Sequence, residues 1–201
     1  MLLLTLDTTS DILSVAVMEE NHVLAFQEAV LPQGQGEALF PMIDAAFKTA
    51  RKTPADLQGI GVCVGPGSFT GVRIGLAAAK GLGLALNIPV MGATTFEAYA
   101  DTIFKPIHVV LDTKKDGFWV QSFDENGVAL TQPTLLSADE VKKCAFKTVV
   151  GSGALKVSEL TGCTVSEKLS PLAVSVGRVV LSRIKDLLPP EPLYCKEPYV
   201  S

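Results

Sequence analysis

Apolar positions in this chain change period several times, and each change marks an element. Leu2, Leu3, Leu4 and Leu6 make a short apolar run that stops at Asp7-Thr8-Thr9-Ser10, which predicts a buried strand closed by a polar turn. Residues 12–18 and 23–30 are two further strands, separated by the turn Glu19-Glu20-Asn21-His22. Three strands joined by tight turns predict an antiparallel meander. After Pro32-Gln33-Gly34-Gln35-Gly36 the period becomes helical over 37–51, with Leu39, Met42, Ile43, Ala46, Phe47 and Ala50 on one stripe. Pro41 fits the first turn of that helix or kinks it. A break at Thr53-Pro54-Ala55-Asp56 precedes a buried strand over 60–64, a glycine-rich turn and a second helix over 72–86, stopped by Asn87 and Pro89. A short strand over 89–92 and a helix over 94–102, capped by Thr94 or Thr95, close the first half.

The second half opens with a buried strand over 107–111 that ends at Asp112. Residues 118–124 and 128–131 are predicted to pair across Glu125-Asn126-Gly127. Then come a helix over 138–144, a strand over 148–150, the turn Gly151-Ser152-Gly153 with a short helix, and a longer helix over 171–188 before a proline-rich tail. Both halves therefore begin with a strand, an acidic turn and a hairpin, with Asp7 and Asp112 in matching places. The expectation is an α/β protein of two related lobes, 1–104 and 105–201, the second poorer in helix.

Charge and cysteine usage narrow the function. The formal net charge is −4 and the longest Lys/Arg runs are pairs such as Lys114-Lys115, so any contact with nucleic acid is expected to run through a partner. Asp7 interrupts the apolar N-terminus too early for a signal peptide, and Lys80, Asn87 and Pro89 interrupt the apolar segment 74–90, so no membrane span is expected. Cys63, Cys144, Cys163 and Cys195 form no C-x-x-C pair, which argues against zinc or a disulfide framework and for a reducing cytoplasm.

Four features are candidates for chemistry. Gly65-Pro66-Gly67-Ser68-Phe69-Thr70-Gly71 lies between a strand and a helix, where backbone N–H groups can cradle a phosphate. It lacks the Lys-Ser/Thr of a P-loop, and its glycine spacing is too long for a dinucleotide fingerprint. A tight turn that lets two backbones approach is the reading its residues favour. Gly71, Gly75, Ala79 and Gly83 recur every fourth residue. Mid-helix glycine costs about 1 kcal/mol against alanine. Something should therefore pack close to this ridge, either the protein's own sheet or a partner helix. Arg73 opposes the helix dipole and calls for a carboxylate, from this chain or a partner, or a bound anion. Asp7-Thr8-Thr9-Ser10 is either a phosphate-holding turn of the actin-like ATPase kind or a hydrogen-bonded hairpin. His22 and His108 accompany no nucleophile signature, and H-x-x-x-H does not occur, which leaves a hydrolase or metalloprotease without its usual parts.

The segments Leu4-Thr5-Leu6-Asp7-Thr8-Thr9-Ser10, Leu39-Phe40-Pro41-Met42-Ile43-Asp44 and above all Gly65-Pro66-Gly67-Ser68-Phe69-Thr70-Gly71-Val72-Arg73-Ile74-Gly75 resemble the bacterial TsaB (YeaZ) family. Lys80-Gly81-Leu82, Thr94-Thr95-Phe96-Glu97-Ala98, Leu111-Asp112-Thr113-Lys114-Lys115, Val150-Gly151-Ser152-Gly153-Ala154 and Leu193-Tyr194-Cys195-Lys196-Glu197-Pro198 extend the resemblance over nearly the whole chain. It implies an actin/Hsp70-like (ASKHA, ribonuclease H-like) fold of two lobes, with mixed sheets flanked by helices. It also implies a non-catalytic scaffold subunit, without its own metal or cofactor, in the synthesis of N6-threonylcarbamoyladenosine in tRNAs that read ANN codons. The implied partners are a TsaD-like catalytic subunit, a TsaE-like ATPase and, when the chain is alone, a second copy. Threonylcarbamoyl-AMP comes from a separate synthase, tRNA is met only through the complex, and ATP or ADP and metal belong to partner subunits. By resemblance the partner interface is a four-helix bundle built on Leu39, Met42, Ile43, Ala46 and Phe47 of the first helix and Arg73, Gly75, Ala78, Ala79 and Leu82 of the second. Gly65, Pro66, Gly67, Ser68, Phe69, Thr70 and Gly71 form a structural turn, and Asp7, Thr8, Thr9, Asp112, Gly151 and Gly153 a vestigial nucleotide site. The chain departs from the family at Gln35-Gly36, where His-Ser is usual, at Lys196, where Arg is usual, and in its short second half. The alternatives are a protease or chaperone-like factor acting on TsaD, and a small actin-like ATPase or sugar kinase.

Overall fold

A computed structural model describes residues 1–101, 106–115, 117–167, 170–183 and 188–195. The chain forms two compact units, Met1–Ala98 joined by the segment from Ser170 onward, and Tyr99–Leu169.

The first unit holds β1 (Leu2–Asp7), β2 (Ile12–Glu19), β3 (His22–Val30), α1 (Gln35–Ala50), β4 (Gly59–Cys63), α2 (Phe69–Leu86) and β5 (Val90–Ala93), with α3 (Thr95–Ala100) running across the boundary. The sheet order is β3-β2-β1-β4-β5. The first three strands are the expected antiparallel meander, and β4 and β5 continue it in parallel with β1. All six residues of β1 are buried because both faces of the sheet are covered. Leu2, Leu4, Leu6, Val15 and Val17 pack on one face against Leu39, Ile43, Ala46, Phe47, Val72 and Leu76 of α1 and α2.

The opposite face is covered by α6 (Leu172–Ser182), whose Ala173 and Val174 join Ala16 and Met18 in a second cluster. The buried Ser14 hydroxyl accepts the Ala173 N–H at 3.0 Å and pins the start of α6 to β2. This changes the division expected at residue 104, which left everything after it in the second lobe. Eight residues of α6 are buried, from Leu172 to Val180. A helix apolar on nearly every side must be covered all round, and the second face of the first sheet supplies the cover. The helix expected over 171–188 is also shorter. Residues 184–187 lie outside the described residues, and Leu188 already bridges to Gly92 at the edge of the first sheet.

The second unit holds β6 (Ile107–Asp112), β7 (Phe118–Phe123), β8 (Thr134–Leu136), α4 (Ala138–Val141), β9 (Thr148–Val150), α5 (Ala154–Thr161) and β10 (Thr164–Val165), in the sheet order β10-β9-β6-β7-β8. With β6 set against β1, the order and every strand direction repeat the first unit. Val110, Phe118, Val120, Val149, Ala154 and Val157 fill its core. The pairing expected for 128–131 shrinks to a single bridge between Phe123 and Ala129. Two backbone bonds remain there, from the Asp124 N–H to the Val128 carbonyl and from the Leu130 N–H to the Ser122 carbonyl, while the Asp124 carboxylate accepts the N–H groups of Asn126 and Val128 and the Thr131 hydroxyl takes the Ser122 N–H. The edge beside β7 passes to Thr134–Leu136. The helix expected over 138–144 ends at Val141.

Helix α2 is long and apolar enough to cross a membrane by length and composition alone. Its buried side, Gly71, Val72, Gly75, Leu76, Ala79 and Gly83, gives that composition another cause, since α2 is a core helix of the first unit.

Candidate functional site

In the first unit two of the singled-out motifs meet. A Cβ at Gly67 would collide with the Thr9 carbonyl, one at Gly71 with the Thr8 carbonyl, and one at Gly75 with the Thr8 hydroxyl. These glycines let α2 and its leading loop lie directly on the Asp7 turn. The contact is then bonded. Ser68 N–H donates to the Thr9 carbonyl at 2.7 Å, and the Thr8 hydroxyl donates to the Gly71 carbonyl at 2.7 Å. The Ser68 hydroxyl caps α2 by accepting the Gly71 N–H at 3.2 Å. Thr9 donates its N–H and its hydroxyl to Asp7 Oδ1 at 3.1 and 2.7 Å, and Asp7 is buried. The loop that could cradle a phosphate is thus engaged with the turn that could hold one. Cys63 lies behind this turn, 3.3 Å from the Thr95 hydroxyl, and burial pushes its thiol far above the usual cysteine range.

The second unit closes its equivalent turn with a charge pair. Asp112 accepts Lys156 Nζ at 2.6 Å and the Lys114 N–H at 2.8 Å, while its own N–H donates to the Ser152 hydroxyl. Burial raises the Asp112 carboxyl, but Lys156 and the Lys114 N–H together outweigh it and hold the group below its usual value. Gly151 has φ +115, and a Cβ there would strike the Val110 carbonyl. Gly153 N–H donates to that same carbonyl at 3.0 Å. Asp7, Thr8 and Thr9 therefore sit in one unit and Asp112, Gly151 and Gly153 in the other, each set hydrogen-bonded within its own unit. His108 bonds the Ser122 hydroxyl through Nδ1 at 2.8 Å, and partial burial lowers its pKa. Among the described residues no group of three or more His, Cys, Asp or Glu side chains could hold a metal ion.

The helices α1 and α2 correct the expected interface. Ile43, Ala46, Phe47 and Ala79 are sealed in the first unit's core, Leu39 is buried but borders the groove between the helices, and Gly75 faces Thr8. Met42, Ala78 and Leu82 are half-buried and Arg73 is exposed. The glycine ridge answers to this chain's own backbone, and at Gly83 to Val90, so it needs no second polypeptide. Leu39, Ala78 and Leu82 of the expected interface belong with a second set of small and apolar residues, one helix position over. Gly36, Leu39, Phe40, Ile74, Ala77, Ala78, Gly81 and Leu82 line an open groove of about 440 Å³ between the two helices. Phe40 is 50% and Leu84 86% exposed. A Cβ at Gly81 would meet nothing within 4 Å, so packing inside the chain gives no reason for glycine there. The signal for this face was present in Ala77-Ala78-Ala79-Lys80-Gly81, which carries two small-residue stripes where one was read.

At the head of α2 the Arg73 guanidinium lies 3.8 Å from the centre of the Phe69 ring, and its Nε donates to the Tyr194 hydroxyl at 3.2 Å. The Phe69 and Tyr194 rings are 5.3 Å apart. Lys196, a departure from the family pattern, lies outside the described residues.

A family model described as TsaD: tRNA N6-adenosine threonylcarbamoyltransferase matches residues 33–169. The chain is 27% identical over 203 residues to the tRNA threonylcarbamoyladenosine biosynthesis protein TsaB of Escherichia coli (strain K12), covering 94% of this chain and 85% of that one. Among solved structures it is similar to YeaZ from Pseudomonas aeruginosa, with a TM-score of 0.81 and 20% identity over 96% of this chain and 99% of that one. The activator of the 2-hydroxyisocaproyl-CoA dehydratase from Clostridium difficile with bound ADPNP follows at a TM-score of 0.56 and 9% identity, over 92% and 96%. These two structures share the actin-like fold of two mixed sheets flanked by helices.

Proposed function

Because this chain belongs to the family described as TsaD: tRNA N6-adenosine threonylcarbamoyltransferase, within its TsaB (YeaZ) branch, we propose that it is the non-catalytic scaffold subunit of a complex that makes N6-threonylcarbamoyladenosine in tRNA. The outward face of α1 and α2 is where a TsaD-type catalytic subunit binds. One observation carries this reading. The groove between Phe40, Ile74, Ala78 and Gly81 is apolar, open and lined by small residues, and it lies within the span matched by the TsaD family model. A TsaD-type chain built on the same helices can offer a matching face, and two such faces pair in a quasi-symmetric four-helix contact. A second copy of this chain uses the same face when the partner is absent.

The non-catalytic assignment is supported by the hydrogen bonds and the ion pair that engage both acidic turns within the chain. The Ser68 hydroxyl serves as a helix cap and the His108 ring bonds to Ser122, which gives a peptidase reading no support. ATP or ADP and metal are then requirements of the partner subunits, a TsaE-like ATPase joins the assembly, and tRNA is met through the complex. The four cysteines are free thiols, in keeping with work in the cytoplasm.

Depleting this chain and measuring the modified adenosine in total tRNA by mass spectrometry tests the role. A strong fall is expected, and normal levels would overturn the proposal. Co-elution with the TsaD-type subunit of the same organism tests the surface, and Ala78→Glu should abolish it.

A further inference from the structure

We propose that Arg73 is the specificity anchor of the α1–α2 face: it takes a carboxylate of the TsaD-type partner, and the C-terminal strap holds it ready through Tyr194. This rests on the reading of that face given above and adds the chemistry the partner must present.

Arg73 is exposed and lies on the stripe Arg73, Ala77, Lys80 and Leu84, which borders the groove at Ala77. An exposed arginine ordinarily carries rotamer entropy that a partner must freeze. Here the side chain is already placed, stacked on Phe69 and bonded to Tyr194. Tyr194 is itself held by its neighbour, because Leu193 N–H donates to the Val64 carbonyl at 2.8 Å. Gly65 makes room for that strap, since a Cβ there would come within 3.1 Å of the Leu193 carbonyl. Further back, Gly92 N–H donates to the Leu188 carbonyl at 2.8 Å, so the strap is tied at two places to the first unit. A docking group pre-arranged in this way loses less freedom on binding.

The bond to Tyr194 also selects what Arg73 can hold. Nε is engaged, so the edge formed by the two terminal nitrogens is the one left to pair. That edge matches a carboxylate in two parallel charge-assisted hydrogen bonds. The ion pairs recorded among the described residues do not include Arg73. Helix α2 has no acidic residue at all, and Arg73 adds to the positive end of its dipole. On α1 the exposed charges near the groove are Glu37 and Asp44, with Lys48 following at the C-terminal end. The face is therefore divided, acidic along the first three turns of α1 and basic along α2. A partner that lays an acidic helix over α2 is favoured, and one that lays a basic helix there meets like charge.

Calorimetric titration of the full-length chain with the purified TsaD-type subunit of the same organism, at several salt concentrations, tests the anchor. Arg73→Gln should weaken binding by roughly 10- to 100-fold and flatten its salt dependence. Arg73→Lys should recover only part of the loss, because an ammonium cannot fork onto a carboxylate. Tyr194→Phe should weaken binding several-fold and leave the salt dependence in place, since it loosens the guanidinium without removing it. Thermal melting of each variant should match the wild type. If Ala78→Glu abolishes binding while Arg73→Gln keeps wild-type affinity and salt dependence, the anchor is wrong and the face stands. If the wild type fails to bind, or Ala78→Glu binds normally, the face is wrong and the anchor falls with it.

Discussion

The two units repeat one strand order in the same directions, yet they close their first turn by different means. In the first, glycines let α2 settle onto the Asp7 turn, and backbone carbonyls meet Thr8, Thr9 and Ser68 at short range. In the second, Asp112 is held by Lys156 across solvent-exposed surface, with α5 no longer than Ala154–Thr161. The first device is steric throughout and uses a long, smooth helix; the second keeps glycine approach at Gly151 and Gly153, adds an ion pair and manages with a short helix. The difference explains why the outward helical face occurs in the first unit. A helix of 18 residues pressed down along a glycine ridge has a second side left over, and here that side is apolar.

The comparison breaks most visibly at Gly71. Gly71→Val places branched carbon against the Thr8 carbonyl, a backbone atom that cannot move without the Asp7 turn. Destabilisation of about 3 kcal/mol is expected, at the upper end of overpacking costs. Urea unfolding would read it as a fall in midpoint, and an unchanged midpoint would remove the steric account of the turn. Gly75→Leu should act the same way, through folding and not through association. In the second unit Ser152→Ala, which loses one hydrogen bond to the Asp112 N–H, should cost no more than about 1 kcal/mol.

Second in size is a contrast between exposed apolar positions. Ala78→Glu in the groove should lower partner affinity by at least about 10-fold while stability stays within roughly 0.5 kcal/mol. Leu155→Glu in the second unit, at a site 71% exposed, should change neither. Equal effects at the two sites would mean that exposure alone, and not the groove, governs association.

Much of this could be read in the chain beforehand, and the exceptions share a cause. The apolar runs at Leu2–Asp7, Ile12–Glu19 and Ile107–Asp112 announced strands because burial on both faces leaves little room for polar residues. Thr94 announced a helix start, and its hydroxyl accepts the Glu97 N–H while Glu97 returns a carboxylate to the Thr94 N–H; Ser68 and Ser137 cap α2 and α4 without having been read as caps. Destinations were not legible. Nothing local in 172–182 says which sheet the helix will cover, because an all-round apolar helix fits any open face. The stripes of α2 were legible as small, but which of two neighbouring stripes faces inward depends on where Thr8 and Val90 lie after folding. Strand β8 was missed because its three residues carry no alternation and its pairing was claimed by the stronger turn at Asn126-Gly127.

The electrostatic closure of the second unit predicts a pH signature. The Asp112 carboxyl is held below its unfolded value of 3.8, so its pairing contributes stability above that pH, and the contribution is lost as pH falls through the folded value. Lys156 is 63% exposed, which limits the pair to under about 1 kcal/mol after screening. Lys156→Met should therefore be slightly less stable than wild type near neutral pH. The two should converge as the pH drops below about 4. Urea midpoints from pH 7 to 3 would show the convergence, and parallel curves would mean that Lys156 contributes packing alone.

The finest test separates two glycines six residues apart on the same helix. Gly75 has a neighbour waiting where its Cβ would be, and Gly81 has open space. In the isolated chain Gly81→Ala should gain up to about 1 kcal/mol from helix propensity, and Gly75→Ala should lose stability in spite of the same gain. A position that gives up that gain while touching nothing in its own molecule is under some other constraint. If the constraint is close approach by the partner's helix, Gly81→Ala must raise the melting temperature and weaken the complex in the same preparation. A variant that melts higher and binds the TsaD-type subunit as tightly as wild type would place the contact elsewhere along the groove, toward Phe40 and Ile74, and leave Gly81 outside the contact.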